Sequence, residues 1–381
     1  MPSASRQSKE RLKVAHLIDS PAIGGSEICA LEICRHLDPL SYQPLLLFLR
    51  GREGAMIPLA EANGVPWACI GWSRYWRLFG PLVLAMQLKK LRIDILHIHH
   101  VVLLRTAFKA AKLAGIKRII LTEHAKHTIS RSEAIQQDCR KLIPQLDGFS
   151  VISQNLKDYF CREIGLSSQR LTVISNGIDT SKYAPIKQRR RLDALLPEGF
   201  QGILFMTVGR LADAKDHPSL LQAMQLLQKK GLDFHLLIVG DGALREKIEA
   251  DLKLLGLQDC VSLTGGRSDI PELLSGCDIF VLSSKREGLP MVILEAMSCA
   301  LPVASTAVGA IPEVIRDGVD GVLTPAQNPQ ALADALFRLA TDESLRTSLQ
   351  KQARSRICNH FEIGKVVEQY AALYSEVAVK R

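Results

Sequence analysis

Short aliphatic, β-branched runs alternate with stretches of helical periodicity along almost the whole chain. Such alternation is typical of parallel sheets that carry helices on both faces. In the first half it predicts strands at Lys13–Ile18, Pro44–Leu49, Pro66–Ile70, Ile93–Ile98, Arg118–Thr122, Phe149–Ile152 and Leu171–Ile174. Between these strands, apolar residues at helical spacing predict helices at Ser26–His36, Leu103–Ala114 and Gln154–Ile164.

A polar segment, residues 186–200, interrupts the alternation with an Arg-rich run and Pro197. The pattern then resumes with strands at Ile203–Val208, Phe234–Val239, Val261–Thr264, Ile279–Leu282 and Pro302–Ser305. Helices are predicted at Pro218–Lys230, Ala243–Leu255 and Pro290–Ser298, and over the last sixty residues. A chain of 381 residues suits two domains.

We therefore predict an α/β protein with two doubly wound, Rossmann-like domains, each built on a parallel sheet. The predicted bounds are 1–185 for the first domain, 186–200 for the linker and 201–360 for the second domain.

Charge is distributed unevenly between the halves. Residues 1–185 hold 25 Lys and Arg against 15 Asp and Glu, whereas the remaining residues are almost neutral. A basic first half favours an anionic membrane surface or a phosphorylated acceptor as its partner, although it is also compatible with an ordinary basic surface. The nine cysteines form no CxxC pair, which favours a reducing compartment.

The loops that leave predicted strands are the places where open α/β sheets bind ligands. Gly24 and Gly25 follow the first strand and open a helix, where exposed amides favour a phosphate. Ser26 is a candidate N-cap there. Arg210 and Lys215 lie after a later strand, just before a helix that begins near Pro218, and two cations at a helix N-terminus suit a diphosphate.

Acidic residues mark a further loop of the second half. Glu287, Gly288 and Leu289 follow a predicted strand, and Glu295 lies on the next helix. Two carboxylates separated in this way suit an elongated ligand with hydroxyl groups at both ends. In the first half, His124 ends a strand, at the edge where a ligand would bind.

Together these features resemble the GT-B glycosyltransferases of the large retaining family 4. The resemblance rests on six segments in the family's order: Gly24–Glu27, Thr122–His124, Val173–Asp179, Val208–Lys215, Val239–Gly242 and Glu287–Glu295. It implies two domains that face a central cleft, an acceptor domain first and a donor domain second. It also implies that the last helix, residues 361–381, crosses back to the first domain.

The resemblance assigns a role to each candidate residue. Arg210 and Lys215 would neutralise the donor diphosphate, and Glu287, with Gly288 and Leu289, would bind the transferred sugar. Glu295 would bind the ribose. His124 would meet a sugar hydroxyl near the reacting carbon, and Gly24 and Gly25 would contact phosphate or acceptor. Front-face attack would keep the anomeric configuration, so Glu287 would position the sugar rather than act as a nucleophile.

The function implied is a retaining hexosyltransferase that moves a hexose from a nucleotide-diphosphate sugar, with UDP favoured over GDP. The acceptor would be a glycan or a lipid-linked sugar in cell-surface polysaccharide, lipopolysaccharide or exopolysaccharide synthesis. No metal or other cofactor is expected. Since Met1–Glu10 contains no apolar signal region, we expect a cytoplasmic enzyme, peripheral at the inner face of the membrane.

Other sites and other functions are compatible with parts of the sequence. His97 and His99 share one strand face, but no nearby acid or cysteine completes a metal site. No nucleic-acid-binding module is recognisable, and GxGxxG is absent, which disfavours a nicotinamide-dependent oxidoreductase. A sugar-nucleotide epimerase of the same shape and a non-catalytic sugar-binding subunit remain open.

The segment Trp72–Arg77 mixes aromatic rings with cations, so it suits a membrane interface, an acceptor loop or a packed connection.

Overall fold

The computed structural model describes residues 11–71, 76–185 and 192–379, with backbone alone at 76–78 and 193. The strands are β1 Leu12–Ile18, β2 Tyr42–Phe48, β3 Trp67–Cys69, β4 Ile95–His99, β5 Arg118–Glu123, β6 Gly148–Val151, β7 Thr172–Val173, β8 Ile203–Val208, β9 Phe234–Val239, β10 Val261–Gly265, β11 Ile279–Leu282, β12 Val303–Thr306 and β13 Val322–Thr324. The α-helices are α1 Gly25–His36, α2 Met56–Ala62, α3 Trp76–Leu91, α4 Leu104–Ala114, α5 His127–Ser130, α6 Glu133–Leu142, α7 Gln154–Tyr159, α8 His217–Lys229, α9 Arg245–Leu255, α10 Ile270–Gly276, α11 Met291–Ser298, α12 Ile311–Val314, α13 Pro329–Thr341, α14 Glu343–His360 and α15 Ile363–Val379.

Two parallel sheets organise the chain. The first has the order β3-β2-β1-β4-β5-β6-β7 and the second β10-β9-β8-β11-β12-β13. Each order reverses direction beside its first strand, β1 or β8, which is the arrangement of a doubly wound sheet. The prediction of two Rossmann-like α/β domains is therefore confirmed.

The chain divides into two compact units between Gly177 and Ile178. The first unit takes residues 1–177 and also Ile363–Arg381, while the second takes Ile178–Glu362. Of the segment predicted as a linker, residues 186–200, the described residues 192–200 fall within the second unit, and residues 186–191 lie outside the described part.

The last helix, α15, belongs to the core of the first unit. Its buried residues, which include Tyr370 and Tyr374, pack with Cys29 and Ile33 of α1 and with Val14 of β1. The Tyr42 hydroxyl also donates to the carbonyl of Ala371 at 3.0 Å. Burial of two whole tyrosine rings gives this helix a large share of the apolar contact in that core.

The second unit buries a separate core between β8, β9 and β11 and the helices α8, α9 and α13. Three strands there, β8, β9 and β11, have the bounds that the sequence predicts. The predicted helix at Gln154–Ile164 is α-helical only to Tyr159, and a π-helical turn completes it to Ile164.

Trp72–Tyr75, the first part of the predicted membrane-contact segment, lie outside the described residues. Trp76 and Arg77 begin the backbone of α3, whose exposed side chains include Phe79, Leu82 and Met86. Among the helices of the described ranges, none is long and apolar enough to cross a bilayer.

Candidate active site

Adjacent strands bring the candidate residues of the second unit to one sheet edge. Strands β8 and β11 pair in parallel, with Ile279 opposite Phe205. The loops that follow them, residues 209–216 and 283–290, therefore leave the same carboxyl edge, which is where doubly wound sheets bind ligands. The sequence-predicted Arg210, Lys215, Glu287, Gly288 and Leu289 all lie in these two loops.

Lys215 and Glu287 form an ion pair between the two loops, with Nζ and Oε1 2.7 Å apart. The Ser284 hydroxyl donates to the same carboxylate oxygen at 2.6 Å. The side chains of Lys215 and Glu287 are only 20% and 11% exposed, so water screens their attraction weakly. The carboxylate is thus fixed at the sheet edge. Ser284 was not identified from the sequence, although it lies only three residues before Glu287.

Arg210 is exposed and has no hydrogen-bonded or ion-paired partner among the described residues. Its neighbour Leu211 is fully buried and donates its backbone N–H to the Asp241 carbonyl at 2.9 Å. The loop is therefore anchored beside Arg210 while the guanidinium stays open to an anion. The Lys215 ammonium group has three N–H donors, and it donates one of them to Glu287.

The start of α8 is held rigidly next to this pair. Asp216 adopts a left-handed backbone, with φ of 51°, and is almost fully buried. The Ser283 hydroxyl donates to the carbonyls of Lys215 and Asp216, at 2.9 and 3.2 Å. The positive end of the α8 dipole is therefore fixed beside the Lys215 ammonium.

Glu295 lies on α11 and is nearly buried. Burial raises the pKa of its carboxyl to about 7, although the Tyr183 hydrogen bond and the Lys182 charge act in the opposite direction. The Tyr183 hydroxyl donates to Oε1 at 3.2 Å. Tyr183 was not identified from the sequence, because nothing in the spacing relates it to a residue more than a hundred positions later.

The loop that carries Glu287 is supported by the backbone of the loop that follows the neighbouring strand β12. Ala310 N–H donates to the Gly288 carbonyl at 2.9 Å, and Leu289 is buried. Gly309 has a φ of 61°, and a Cβ there would lie 2.2 Å from the Glu287 carbonyl oxygen. Only glycine permits this close approach.

His124 follows β5 in the first unit and is 6% exposed. Its backbone N–H donates to Glu123 Oε1 at 2.8 Å. The other oxygen of Glu123 accepts from Val101 N–H at 2.7 Å, and His100 Nδ1 lies 3.0 Å from Oε1. The buried Glu123 carboxylate thus joins the loops that follow β4 and β5.

Electrostatics distinguish the two histidines beside Glu123. Burial lowers the pKa of His100, but the charge and hydrogen bond of Glu123 outweigh it and raise the pKa above its ordinary value. Burial and the nearby His100 charge lower the pKa of His124 to about 3. The His124 ring is therefore neutral at physiological pH, which suits contact with an uncharged hydroxyl.

Gly24 and Gly25 begin α1, with Gly24 as the N-cap in an extended conformation. The expectation that Ser26 caps this helix is wrong, because Ser26 lies inside the first turn and its hydroxyl donates to Glu27 Oε2 at 2.8 Å. That carboxylate lies beside Gly24, so a phosphate at this helix start would first have to displace it.

Two family models together account for most of the chain. Residues 196–356 match the model described as Glycosyl transferases group 1. Residues 23–182 match the model described as Glycosyltransferase Family 4. The first match lies within the second unit, the second match lies almost wholly within the first unit, and together they include every candidate site residue that the sequence predicts.

Individual proteins resemble the chain over its whole length. A UDP-Gal:alpha-D-GlcNAc-diphosphoundecaprenol alpha-1,3-galactosyltransferase of Escherichia coli is 26% identical to this chain. The match covers 99% of this chain and 100% of the relative's length. HepE of Anabaena, solved in complex with UDP and glucose, superposes with a TM-score of 0.84 at 22% identity, over 96% of this chain and 100% of its own. The apo lipopolysaccharide outer core galactosyltransferase WaaB superposes with a TM-score of 0.71 at 20% identity. This match covers 96% of this chain and 100% of the WaaB chain.

Proposed function

The chain belongs to the GT-B glycosyltransferases of the group 1, family 4 type, and we propose that it is a retaining hexosyltransferase with a UDP-hexose donor. The observation that carries the proposal is the Lys215–Glu287 ion pair together with Arg210, which has no partner among the described residues and lies in the same loop as Lys215, at the carboxyl edge of the second sheet. One edge thereby offers cations for a diphosphate and a fixed carboxylate for a sugar hydroxyl.

The proposed reaction needs no protein nucleophile. As the bond between the sugar anomeric carbon and the diphosphate breaks, negative charge grows on the leaving oxygen, and Arg210 and Lys215 stabilise it. The acceptor hydroxyl attacks from the same face and gives its proton to the departing phosphate, so the anomeric configuration is kept. Glu287 accepts a hydroxyl of the sugar, and its bonds to Lys215 and Ser284 fit a positioning role.

The remaining assignments follow the same chemistry. Glu295 accepts hydroxyls of the donor ribose, Gly288 and Leu289 supply backbone contacts to the sugar, and His124 meets a sugar hydroxyl. Gly24 and Gly25 contact phosphate or acceptor. None of these roles requires a metal or another cofactor.

A lipid-linked sugar is the acceptor we propose, in the synthesis of a cell-surface glycan. The support is the full-length similarity to a galactosyltransferase whose name specifies a diphosphoundecaprenol acceptor. Similarity over 57% of the chain to an N,N'-diacetylbacillosaminyl-diphospho-undecaprenol glycosyltransferase of Campylobacter jejuni, at 30% identity, adds to it. GDP-sugars remain a second donor class for the same diphosphate site.

The test is acceptor-dependent release of nucleoside diphosphate. Purified protein would be incubated with UDP-, GDP- and ADP-hexoses, with and without a polyprenyl-diphosphate sugar, and the product anomer read by NMR. We expect UDP release that requires the acceptor, and an α-linked product from an α-linked donor. Inverted product would refute the retaining mechanism. Sugar isomerisation would point to an epimerase, and binding without turnover to a non-catalytic subunit.

We further propose that the enzyme works at the inner, anionic face of the cell membrane. The exposed Phe79, Leu82 and Met86 form an apolar stripe on α3, and the exposed Lys89 and Lys90 end the same helix. Anionic lipid attracts such lysines, and the stripe adds apolar contact.

Flotation with liposomes tests this surface. Replacing both Leu82 and Met86 by Asp should abolish binding to anionic liposomes at low salt. Leu254→Asp is the control, because Leu254 is 84% exposed but lies on α9 of the second unit. Absence of binding by the unaltered protein would contradict the proposal, as would equal binding by both variants.

A further inference from the structure

Three histidine rings of the first unit form a hydrogen-bonded chain. His16 Nδ1 lies 3.1 Å from His99 Nε2, and His99 Nδ1 lies 3.1 Å from His124 Nε2. His16 and His99 are fully buried and His124 almost so. The outer nitrogens, His16 Nε2 and His124 Nδ1, have no hydrogen-bond partner within the described ranges.

The strands place these rings next to one another. His16 of β1 is opposite His97 of β4, and His99 is two residues further along the same face of β4. Thr122 of β5 is opposite His99, and His124 follows it by two residues. The parallel register thus brings into line one side chain from β1, one from β4 and one from the residue that follows β5, and the last of these is a candidate site residue.

The three rings are neutral at physiological pH. Burial lowers the pKa of His16 to about 3, and burial first, then neighbouring imidazoles, lower the pKa of His99 well below its ordinary value. For His124 the groups that face it are His99, His100 and Glu123. A neutral imidazole carries one proton, on one nitrogen, so each ring donates one hydrogen bond and accepts the other.

A bound sugar hydroxyl decides which direction of the chain is better satisfied. If His124 donated to His99, then His99 would donate to His16, and the Nε2 proton of His16 would have no acceptor among the described residues. In the opposite direction His16 Nε2 keeps an unused lone pair, and the N–H left over is that of His124 Nδ1, which the proposed sugar hydroxyl can accept. An unpartnered buried N–H is the costlier defect. With the donor sugar bound, the chain therefore runs from His16 through His99 to His124.

We propose that His99 is a positioning residue for His124, whose Nδ1–H it keeps available to donate to a sugar hydroxyl. This rests on the proposed function for that hydroxyl, which also sets the direction of the chain. By donating to His124 Nε2, His99 fixes the proton of His124 on Nδ1 and fixes the plane of the ring. His16 terminates the chain and keeps the proton of His99 on the nitrogen that faces His124.

A metal is the competing explanation for this cluster, because nitrogens of His16, His97 and His99 lie within 4.8 Å of one another. Both nitrogens of His97 are already bonded, to the Tyr374 hydroxyl at 2.8 Å and the Thr122 hydroxyl at 2.7 Å. Both nitrogens of His99 are used within the chain. A metal would have to break bonds at both rings, so the geometry favours the hydrogen-bonded chain.

Two substitutions of similar size separate positioning from packing. In His99→Asn the amide N–H₂ takes the place of imidazole Nδ1 and still donates to His124, whereas His99→Leu removes the donor. We expect His99→Asn to keep kcat/KM for the donor sugar within about threefold of the unaltered enzyme. His99→Leu should lose about tenfold or more, the worth of one hydrogen bond. A packing role predicts the reverse order, because leucine fills a buried apolar site better than asparagine.

The ¹⁵N NMR spectrum of the histidine-labelled full chain, recorded with saturating UDP-hexose, gives a readout independent of turnover. The His124 signals are identified by their loss in His124→Gln. We expect a protonated Nδ1 and a bare Nε2 in the unaltered protein and in His99→Asn, and a shift toward a protonated Nε2 in His99→Leu. Tyr374→Phe, which removes a buried hydrogen bond of His97 instead, should leave the His124 signals unchanged.

The two hypotheses fail differently. An unaltered protein with no transferase activity contradicts the proposed function, and the spectra alone then decide the inference. A protonated Nε2 on His124 in the unaltered protein overturns the inference even if transfer is observed, and so does an unchanged tautomer in His99→Leu. Should His99→Leu fail to fold, the unaltered spectrum and His99→Asn still decide it.

Discussion

At the scale of single residues, the ligand-free site is held together by charges that a donor would have to share. Lys215 is paired with Glu287, and Arg210 alone of this group is unpartnered within the described ranges. The two cations are therefore not equivalent. Arg210 can meet an anion without losing a bond, whereas Lys215 must divide its donors between Glu287 and the diphosphate.

If Glu295 binds the donor ribose as proposed, donor binding should depend on pH. Its pKa, raised to about 7 mainly by burial, leaves much of it protonated just below neutrality, whereas accepting two ribose hydroxyls favours the ionised form. We therefore expect the Kd for UDP to rise as the pH falls from 8 to 6, by up to about tenfold. Calorimetric titration at both pH values measures it.

The matched variant is Glu295→Gln, which removes the titrating group and keeps the side-chain shape. Its Kd should be weaker at pH 8 and nearly the same at both values. If the unaltered protein binds UDP equally at pH 6 and pH 8, or if the glutamine variant keeps the full pH dependence, Glu295 does not contact the ribose.

At the scale of elements, the loops after parallel strands determine what the site can hold, and the supports of those loops lie outside the motifs. Glu287 depends on Ser284 within its own loop and on Gly309 in the loop after β12. A substitution at such a support should affect ligand binding without touching the ligand.

Gly309 and Gly318 provide a controlled comparison, since their φ values are 61° and 70°. Gly318→Ala should cost about 1–2 kcal/mol of unfolding free energy, the penalty of a left-handed alanine, because nothing lies within 4 Å of its Cβ. Gly309→Ala pays the same penalty and also pushes against the Glu287 carbonyl. We expect it to weaken UDP-hexose binding, whereas Gly318→Ala should not; thermal unfolding and donor Kd measure both. Equal donor affinity in the two variants would contradict the role given to Gly309.

Much of this element-level arrangement could be predicted from the sequence. Runs such as Ile203–Val208 are apolar at every position except Thr207, as is typical of strands buried on both faces, so their bounds were clear. The helix α3 was not predicted, because its apolar and aromatic residues occur on several sides and give no clear period. Strand β13 was missed since three residues carry too little pattern.

The site was predictable only where its residues are close in sequence to a strand end. Arg210, Lys215 and Glu287 follow such ends, and the structure brings the latter two together. The partnership of Tyr183 with Glu295 joins distant positions and leaves no local signal. The sequence likewise predicts only part of the histidine arrangement. It indicates that His97 and His99 share a strand face, but the contact of His99 with His16 depends on the pairing of β1 with β4.

At the scale of the whole molecule, four of the six histidines buried among the described residues lie in the first unit, whereas His217 and His235 lie in the second. The core of the first unit contains the uncharged imidazoles of His16, His97, His99 and His124. Burial keeps their pKa values low, while the neighbouring His100 and Glu123 favour each other's charged form, so the pKa of His100 is raised and that of Glu123 is lowered.

This composition makes the first unit sensitive to acid. Below pH 6.5 these histidines bind protons in the unfolded chain but not in the folded protein. The free energy of unfolding therefore falls as the pH falls. For His16 and His124, with pKa values of about 3, the loss is roughly 1 kcal/mol each per pH unit below 6.5. His100, whose pKa is raised, acts in the opposite direction and offsets part of it.

Urea unfolding at pH 7.5 and 5.5, followed by tryptophan fluorescence, measures the effect in this unit alone. All three tryptophans lie between residues 67 and 76, within the first unit. A lower midpoint at pH 5.5 is expected. An unchanged or higher midpoint would show that the buried histidines are already charged in the folded protein.

The most direct test of the proposed transferase is turnover by Arg210→Ala, measured as UDP released from a UDP-hexose in the presence of the lipid-linked acceptor. Arg338→Ala is the matched control, since Arg338 is an equally exposed arginine at the end of α13 in the same unit. We predict that Arg210→Ala lowers kcat by a hundredfold or more, the usual effect of losing a group that stabilises transition-state charge, without changing the preferred sugar, while Arg338→Ala keeps full turnover. Unaltered turnover in both Arg210→Ala and Lys215→Ala would contradict the assignment of this sheet edge to the donor diphosphate.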